Sequence, residues 1–113
     1  EVWVLALNSN LELLSKELIF KGTADKCLIH PRDIFRFLCR NNAISFILAH
    51  SHPSGDSHPS KEDIKITKQL YIASRLFEIH MNDHLIVAKE QYFSFADYGF
   101  MQKFQSIRNV KLS

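Results

Sequence analysis

Three residues in the stretch "AHSHPSGDSHPSKED" have the types and spacing to do chemistry: His50, His52 and Asp63. Two neutral imidazoles and one carboxylate are the ligand set of a tetrahedral zinc site with one position left for water. Zinc brings the pKa of such a water to about 7, so hydroxide becomes available at neutral pH. His-x-His alone also fits an ordinary polar loop. The surrounding elements tip the reading toward metal.

"AISFILAH" is a continuous apolar run of strand length and suits a strand covered on both faces. Residues i and i+2 of a strand share a face, so His50 and His52 project together, roughly 7 Å apart along the chain. Pro53 keeps His52 extended, and "HPSG" reads as a turn. Ser60 followed three residues later by Asp63 is a helix N-terminus signature, with Ser at the N-cap and an acid at N3. The first turn of that helix holds Asp63 where the loop can fold it back toward the histidines.

The other elements build a scaffold around this strand. "EVWVLALN" and "LELLSKELIFKG" read as a hairpin about the turn "SN", and "KCLIH" as a short third strand. Pro31 opens a helix in "PRDIFRFLCRNN", with Ile34, Phe35, Leu38 and Cys39 at helical spacing. The helix after the metal loop, "KEDIKITKQLYIASRLFEI", has Ile64, Leu70, Ala73, Leu76 and Phe77 on its apolar side. "DHLIVAKE" and "YFSF" close the sheet, and "ADYGF" is a terminal turn or short helix. Mixed strands and helices predict an α/β fold with a central mixed sheet.

Bulk properties narrow the function further. The 113 residues suit one domain with a real core, and 46% hydrophobic with 23% charged residues is ordinary for a globular protein. No apolar run approaches the roughly 18 residues needed to span a membrane, and no signal peptide is visible, so a cytoplasmic location is expected. Residues 1–100 carry 11 Lys and Arg against 12 Asp and Glu, which is no nucleic-acid footprint. The last thirteen, with Lys103, Arg108 and Lys111 and no acid, read as a basic, flexible tail over 101–113. Two cysteines are too few for a disulfide scaffold, so Cys27 and Cys39 read as small core residues.

The run "HSHPSGDSHPSKED" fits H-x-H-P-x6-S-x2-D, the signature of the JAMM (JAB/MPN-type) metalloprotease superfamily. Its surroundings, "LIFKGTADKCLIHPRDIFRFLCRNNAISFILAHSHPSGDSHPSKEDIKITKQL" and "DHLIVAKEQYFSFADYGF", closely resemble the C-terminal domain of the bacterial RadC family, from Val2 to Phe100. The resemblance implies a three-layer deaminase-like sandwich, with helices flanking the mixed sheet, and a metal-binding domain over residues 1–100. It implies one zinc per chain held by His50, His52 and Asp63. Ser60 would stabilise the oxyanion or orient the water. A glutamate just before "F-x-G-T" would be the general acid/base, which selects Glu17. Glu17 is otherwise one of six glutamates, and Glu12 and Glu62 stay open as alternatives.

Zinc amide hydrolysis on a peptide or isopeptide bond is the activity so implied. Zinc deaminases place a glutamate two residues after their histidine and draw cysteines from P-C-x-x-C; this chain has neither. RadC-like proteins are traditionally associated with DNA repair and carry an N-terminal DNA-binding domain. The rival reading is therefore a non-catalytic metal-binding module attached to such a domain, with no nucleic-acid contact of its own. An exposed sheet edge would support a homodimer or accept an extended peptide as an added strand. His58 reads as an exposed loop residue, His30 as a cap or packing residue, and Asp83–His84 as a buried hydrogen-bonded pair or a support behind the ligands.

Overall fold

The computed structural model describes residues 1–20, 29–53 and 55–111. The elements run β1 (Val2–Leu7), β2 (Leu13–Phe20), α1 (Pro31–Arg40), β3 (Ser45–Ser51), α2 (Lys61–Phe77), β4 (His80–Val87), β5 (Tyr92–Ser94) and α3 (Phe100–Lys111). The five strands form one mixed sheet in the order β2-β1-β3-β4-β5. Among the described residues only β3 and β4 pair in parallel; the other three pairs are antiparallel. Central β3 therefore has ladder partners on both sides, as do β1 and β4, and it carries His50 near its end and leads directly into His52.

The β1–β2 hairpin turns through Asn8, whose Oδ1 accepts the backbone N–H of Asn10 and of Glu12, each at 2.9 Å. Pro31 opens α1, as expected. His30 stands at its N-cap without a side-chain capping bond, so it is no cap. The strand expected over 26–30 falls largely outside the described residues; its last two, Ile29 and His30, are not in a strand.

All three helices pack on one face of the sheet. Val2, Val4, Ala6, Phe46, Leu48 and Met81 meet Ile34, Phe35 and Leu38 of α1, Leu70 and Tyr71 of α2, and Phe104 of α3. Topology explains this. The β2–α1–β3 and β3–α2–β4 crossovers advance the same way across the sheet, and right-handed crossovers of that kind put their helices on one side. Each fully buried Leu, Ile or Phe contributes about 1.5–3 kcal/mol of transfer free energy. The α/β class and the mixed sheet agree with expectation. Among the described residues the sandwich is represented by two layers, and Trp3, Leu5, Ile47, Ala49 and Leu85 on the opposite face are half-buried.

Three expectations change. Cys39 is exposed rather than in the core, because α1 turns Ile34, Phe35, Phe37 and Leu38 inward and leaves Cys39 beyond the edge of that stripe. The apolar side of α2 does not reach its end: Leu76 is 71% and Phe77 53% exposed, the latter stacked on Phe35 at 4.8 Å. The inward stripe of α2 instead runs Asp63, Thr67, Leu70, Tyr71 and Ser74, and the last turn projects past it. The expected flexible tail is, through Lys111, the helix α3. Its basic residues hid an apolar spacing: Phe100 packs 5.0 Å from Phe95 and Phe104 5.9 Å from Tyr71. Among the described residues no helix is long and apolar enough to cross a membrane.

Candidate metal centre

β3 delivers His50 between Val2 on β1 and Ile86 on β4, on the helix-bearing face. One residue past the strand end, the His52 N–H donates to the Val87 carbonyl at 3.0 Å and stays aligned with β4. The loop then turns at Pro53, and Gly55 takes φ +82°, a left-handed conformation that favours glycine. Ser57 is buried and donates to Gln91 Oε1 at 3.3 Å, which ties the loop to the β4–β5 connection. The loop ends in a capping box: Ser60 Oγ accepts the Asp63 N–H at 3.1 Å, and Asp63 Oδ2 accepts the Ser60 N–H at 2.9 Å.

These constraints bring the three expected ligands together. The donor atoms of His50, His52 and Asp63 all lie within 4.8 Å of one another. His52 Nε2 is 3.1 Å from Asp63 Oδ2, and His50 Nδ1 is 3.2 Å from Asp63 Oδ1. The two imidazole rings, expected side by side, meet edge to face at 4.7 Å. Asp63 is 5% exposed. Burial opposes its ionisation, but neighbouring His50 and the two Ser60 contacts outweigh it and hold its carboxyl well below the usual carboxylate range.

The donor set fits a divalent cation. His52 Nδ1 lies 2.9 Å from the Asp56 carbonyl, which can only accept, so Nδ1 carries the proton. In the neutral ring, the Nε2 lone pair then faces a carboxylate oxygen. Two acceptors that close repel unless a cation sits between them. His50 Nδ1 makes no aligned hydrogen bond to Asp63, and among the described residues it is buried without a hydrogen-bond partner. Zinc bonds of about 2.0–2.1 Å in a tetrahedron place ligand atoms about 3.3 Å apart, close to the two histidine–carboxylate separations of 3.2 and 3.1 Å, though these run to different oxygens of Asp63.

The remaining expected site residues sit at different distances from this cluster. Ser60 is exposed at the N-cap, where its oxygen accepts and its hydroxyl proton remains able to donate outward. Glu17 is exposed on β2 and is not one of the three converging groups. It lies opposite Val4, and Val4 opposite Leu48, so it shares the sheet face of His50 but two residues upstream along β3. It lines a cleft of about 440 Å³ between β2 and α1 with Asp33, Arg36 and Arg40. Glu12 lies in the hairpin turn, bonded by Asn8 Nδ2, and Glu62 is exposed on α2. His58 is an exposed loop residue, as expected, with Nδ1 2.8 Å from Asp56 Oδ1.

Asp83 and His84 are not a side-chain pair. Asp83 accepts from the backbone N–H groups of His84 and Ala96 and from the Ser94 hydroxyl, which pins β5 to β4. The His84 ring is fully buried and meets Thr67 of α2 instead. Burial drives its pKa down to about 3, against an opposing pull from Asp63 and with smaller help from His50 and His52. Sequence reasoning missed Thr67. The available signal was a hydroxyl four residues after the capped acid, on the same face of the helix.

A mixed α/β sheet that brings two histidines and a capped aspartate to the end of a central strand defines a domain with a candidate metal-binding centre. The chain belongs to the RadC-like JAB domain family, whose model matches residues 1–100. It is 44% identical over 98 residues to a UPF0758 protein of Thermotoga maritima, covering 87% of this chain and 44% of that protein. It is 43% identical over 101 residues to the UPF0758 protein YeeS of Escherichia coli, covering 89% and 68% respectively. The UPF0758 protein YsxA of Bacillus subtilis is 35% identical over 97 residues, covering 86% and 42%. The chain thus spans less than half the length of two of these relatives.

Proposed function

We propose that this chain is the catalytic domain of a zinc-dependent hydrolase that cleaves a peptide or isopeptide bond. The observation that carries the reading is the convergence of two imidazoles on one buried, ionised carboxylate, with His50 Nδ1 otherwise unpartnered among the described residues. Zinc held there would supply Lewis acidity and an activated water at neutral pH. The chain's own residues do the rest. The Asp56 carbonyl fixes the His52 tautomer, the capping box fixes Asp63, and burial keeps Asp63 out of bulk water. The Ser60 hydroxyl donates to the oxygen that gains charge as the carbonyl is attacked. Glu17, solvent-accessible and on the ligand-bearing face, takes and returns the proton.

Glu17→Gln tests this assignment. The variant should keep one zinc per chain and lose at least about 100-fold in turnover on a panel of peptide and isopeptide substrates. Undiminished turnover with zinc bound would remove Glu17 from the mechanism. Ser60 is tested by separating its cap from its hydroxyl. Ser60→Ala should cost about 1 kcal/mol of stability in urea unfolding, and Ser60→Gly, also a favoured N-cap residue, only a few tenths. Both lack a side-chain donor and should lose turnover if the hydroxyl is the donor; an active Ser60→Gly enzyme would leave Ser60 only its cap.

The second reading, a metal-binding interaction module without turnover, draws support from one observation. Glu17 stands apart from the converging ligands and shares its cleft with Arg36 and Arg40. Zinc bound by the parent chain, with no hydrolysis across the panel, would favour that module.

A further inference from the structure

We infer that His84, acting through Thr67, is a positioning residue that sets the metal affinity of the centre. The inference rests on the metal-centre reading above and extends it to two residues outside the ligand set.

Thr67 Oγ1 lies 2.5 Å from the Asp63 carbonyl oxygen and 2.5 Å from His84 Nδ1. A hydroxyl has one proton to give. The Asp63 carbonyl can only accept, so it receives that proton. His84 must then donate from Nδ1 to the Thr67 oxygen. This leaves Nε2 as the bare nitrogen, and among the described residues it is buried without a hydrogen-bond partner. Sheet and helix are thereby joined by a directed chain: His84 on β4 donates to Thr67 on α2, and Thr67 donates to the peptide unit of Asp63.

Asp63 is thus held from two sides. The Ser60 capping box fixes it from the loop, and the Thr67–His84 pair fixes its turn of helix from the sheet. The same histidine also backs a second ligand. Its ring lies nearly parallel to that of His50, with centroids 6.2 Å apart and planes at 17°. On its other flank it stacks on Phe95 at 4.7 Å and 7°. A core position between Leu48 and Phe95 would be served better by a leucine or phenylalanine if packing were the sole requirement, because the buried Nε2 is unsatisfied. The polar ring fits a role in setting the distance and orientation of Asp63 and His50, since partners behind metal ligands commonly change affinity 10–100-fold when removed.

The test is zinc affinity of the 113-residue chain, measured by competition with a chromophoric chelator, with the melting temperature of the metal-free protein as the check on folding. Thr67→Val keeps the shape and deletes the hydroxyl; Thr67→Ser keeps the hydroxyl. His84→Leu deletes the donor; His84→Asn carries an N–H donor at the position of Nδ1. Thr67→Val and His84→Leu should weaken zinc about 10–100-fold. Thr67→Ser and His84→Asn should stay within about threefold of the parent, and the cobalt-loaded forms of these two should reproduce the parent's absorption bands. A folded Thr67→Val that binds zinc like the parent overturns the inference, as does an asparagine variant no tighter than the leucine one. If His84→Leu does not fold, the valine and serine variants decide. A parent chain that binds no zinc overturns both this inference and the metal-centre reading, whereas a zinc-binding parent with a silent Thr67→Val overturns this one alone.

Discussion

The purified chain will hold about one zinc ion per molecule, and His52→Ala or Asp63→Ala will hold none after dialysis. Both ligands are close to their final positions in the fold, so little ordering cost remains on binding. The loop is tied at Ser57 and Asp56, and the helix is capped at Ser60. Removing Asp63 also removes the one negative ligand and leaves two imidazoles facing each other. Since a partner behind a ligand is worth 10–100-fold, loss of a ligand should cost more than about 100-fold in affinity. The same site should appear as thermal stabilisation. Free zinc at a thousand times the dissociation constant adds about 4 kcal/mol to the folded state. For a domain of this size that raises the melting temperature by roughly 10–20 °C. Zinc should shift the parent by that amount and shift neither variant. A folded parent that takes up no zinc, with a melting temperature indifferent to added metal, would end the hydrolase reading and leave a scaffold.

How much of this was readable from the chain follows from how local each constraint is. The convergence of His50, His52 and Asp63 was legible because each part of it is short-range: a strand end, a proline after His52, and a Ser–Asp cap three residues apart. The closing of the loop on Asp63 follows from those parts, and the structure adds the Asp56 and Val87 carbonyls as holds on His52 and the Ser57–Gln91 tie on the loop. The Thr67–His84 pair was not legible, because it depends on the parallel pairing of β3 with β4 and on where α2 crosses them. The position of Glu17 depends on the register of β1 with β2, which shifts at a bulge between Val2 and Trp3. Helix α3 was hidden by composition: basic residues marked it as solvated, while Phe100 and Phe104, four apart, formed its inner side. Leu76 and Phe77 show the reverse error, apolar spacing that outlasts the core it was expected to fill.

Acid should destabilise the metal-free fold well before the carboxylates titrate, and His84 is the reason. Its folded pKa, about 3, is below its ordinary value of 6.5, because burial disfavours the charged ring. Asp63 pulls the other way, and His50 and His52 add to the depression. The sign follows directly. Above pH 6.5 the ring is neutral folded and unfolded, so it contributes nothing. Below that, the unfolded chain binds a proton that the fold refuses, and stability falls as pH falls, by about 1.4 kcal/mol per pH unit, until the folded value is reached. Between pH 6.5 and 4.5 the loss from this one group is about 2 kcal/mol, a large part of a typical 5–15 kcal/mol stability. Asp63 acts in a different window. Its pKa is depressed in the fold, so its contribution is present above pH 3.8 and is lost only as pH falls below that. The two effects therefore separate on the pH axis. Urea unfolding in the presence of a chelator should show the parent losing about 2 kcal/mol more than His84→Asn between pH 6.5 and 4.5, because asparagine keeps the donor to Thr67 and cannot take up a proton. Nitrogen chemical shifts of the His84 ring should report the neutral form protonated at Nδ1 in the folded protein at pH 5. Parallel losses in parent and variant, or a charged His84 ring in the fold at that pH, would mean that water or a rearranged Thr67 reaches Nε2, and the two-sided hold on Asp63 would have to be redrawn.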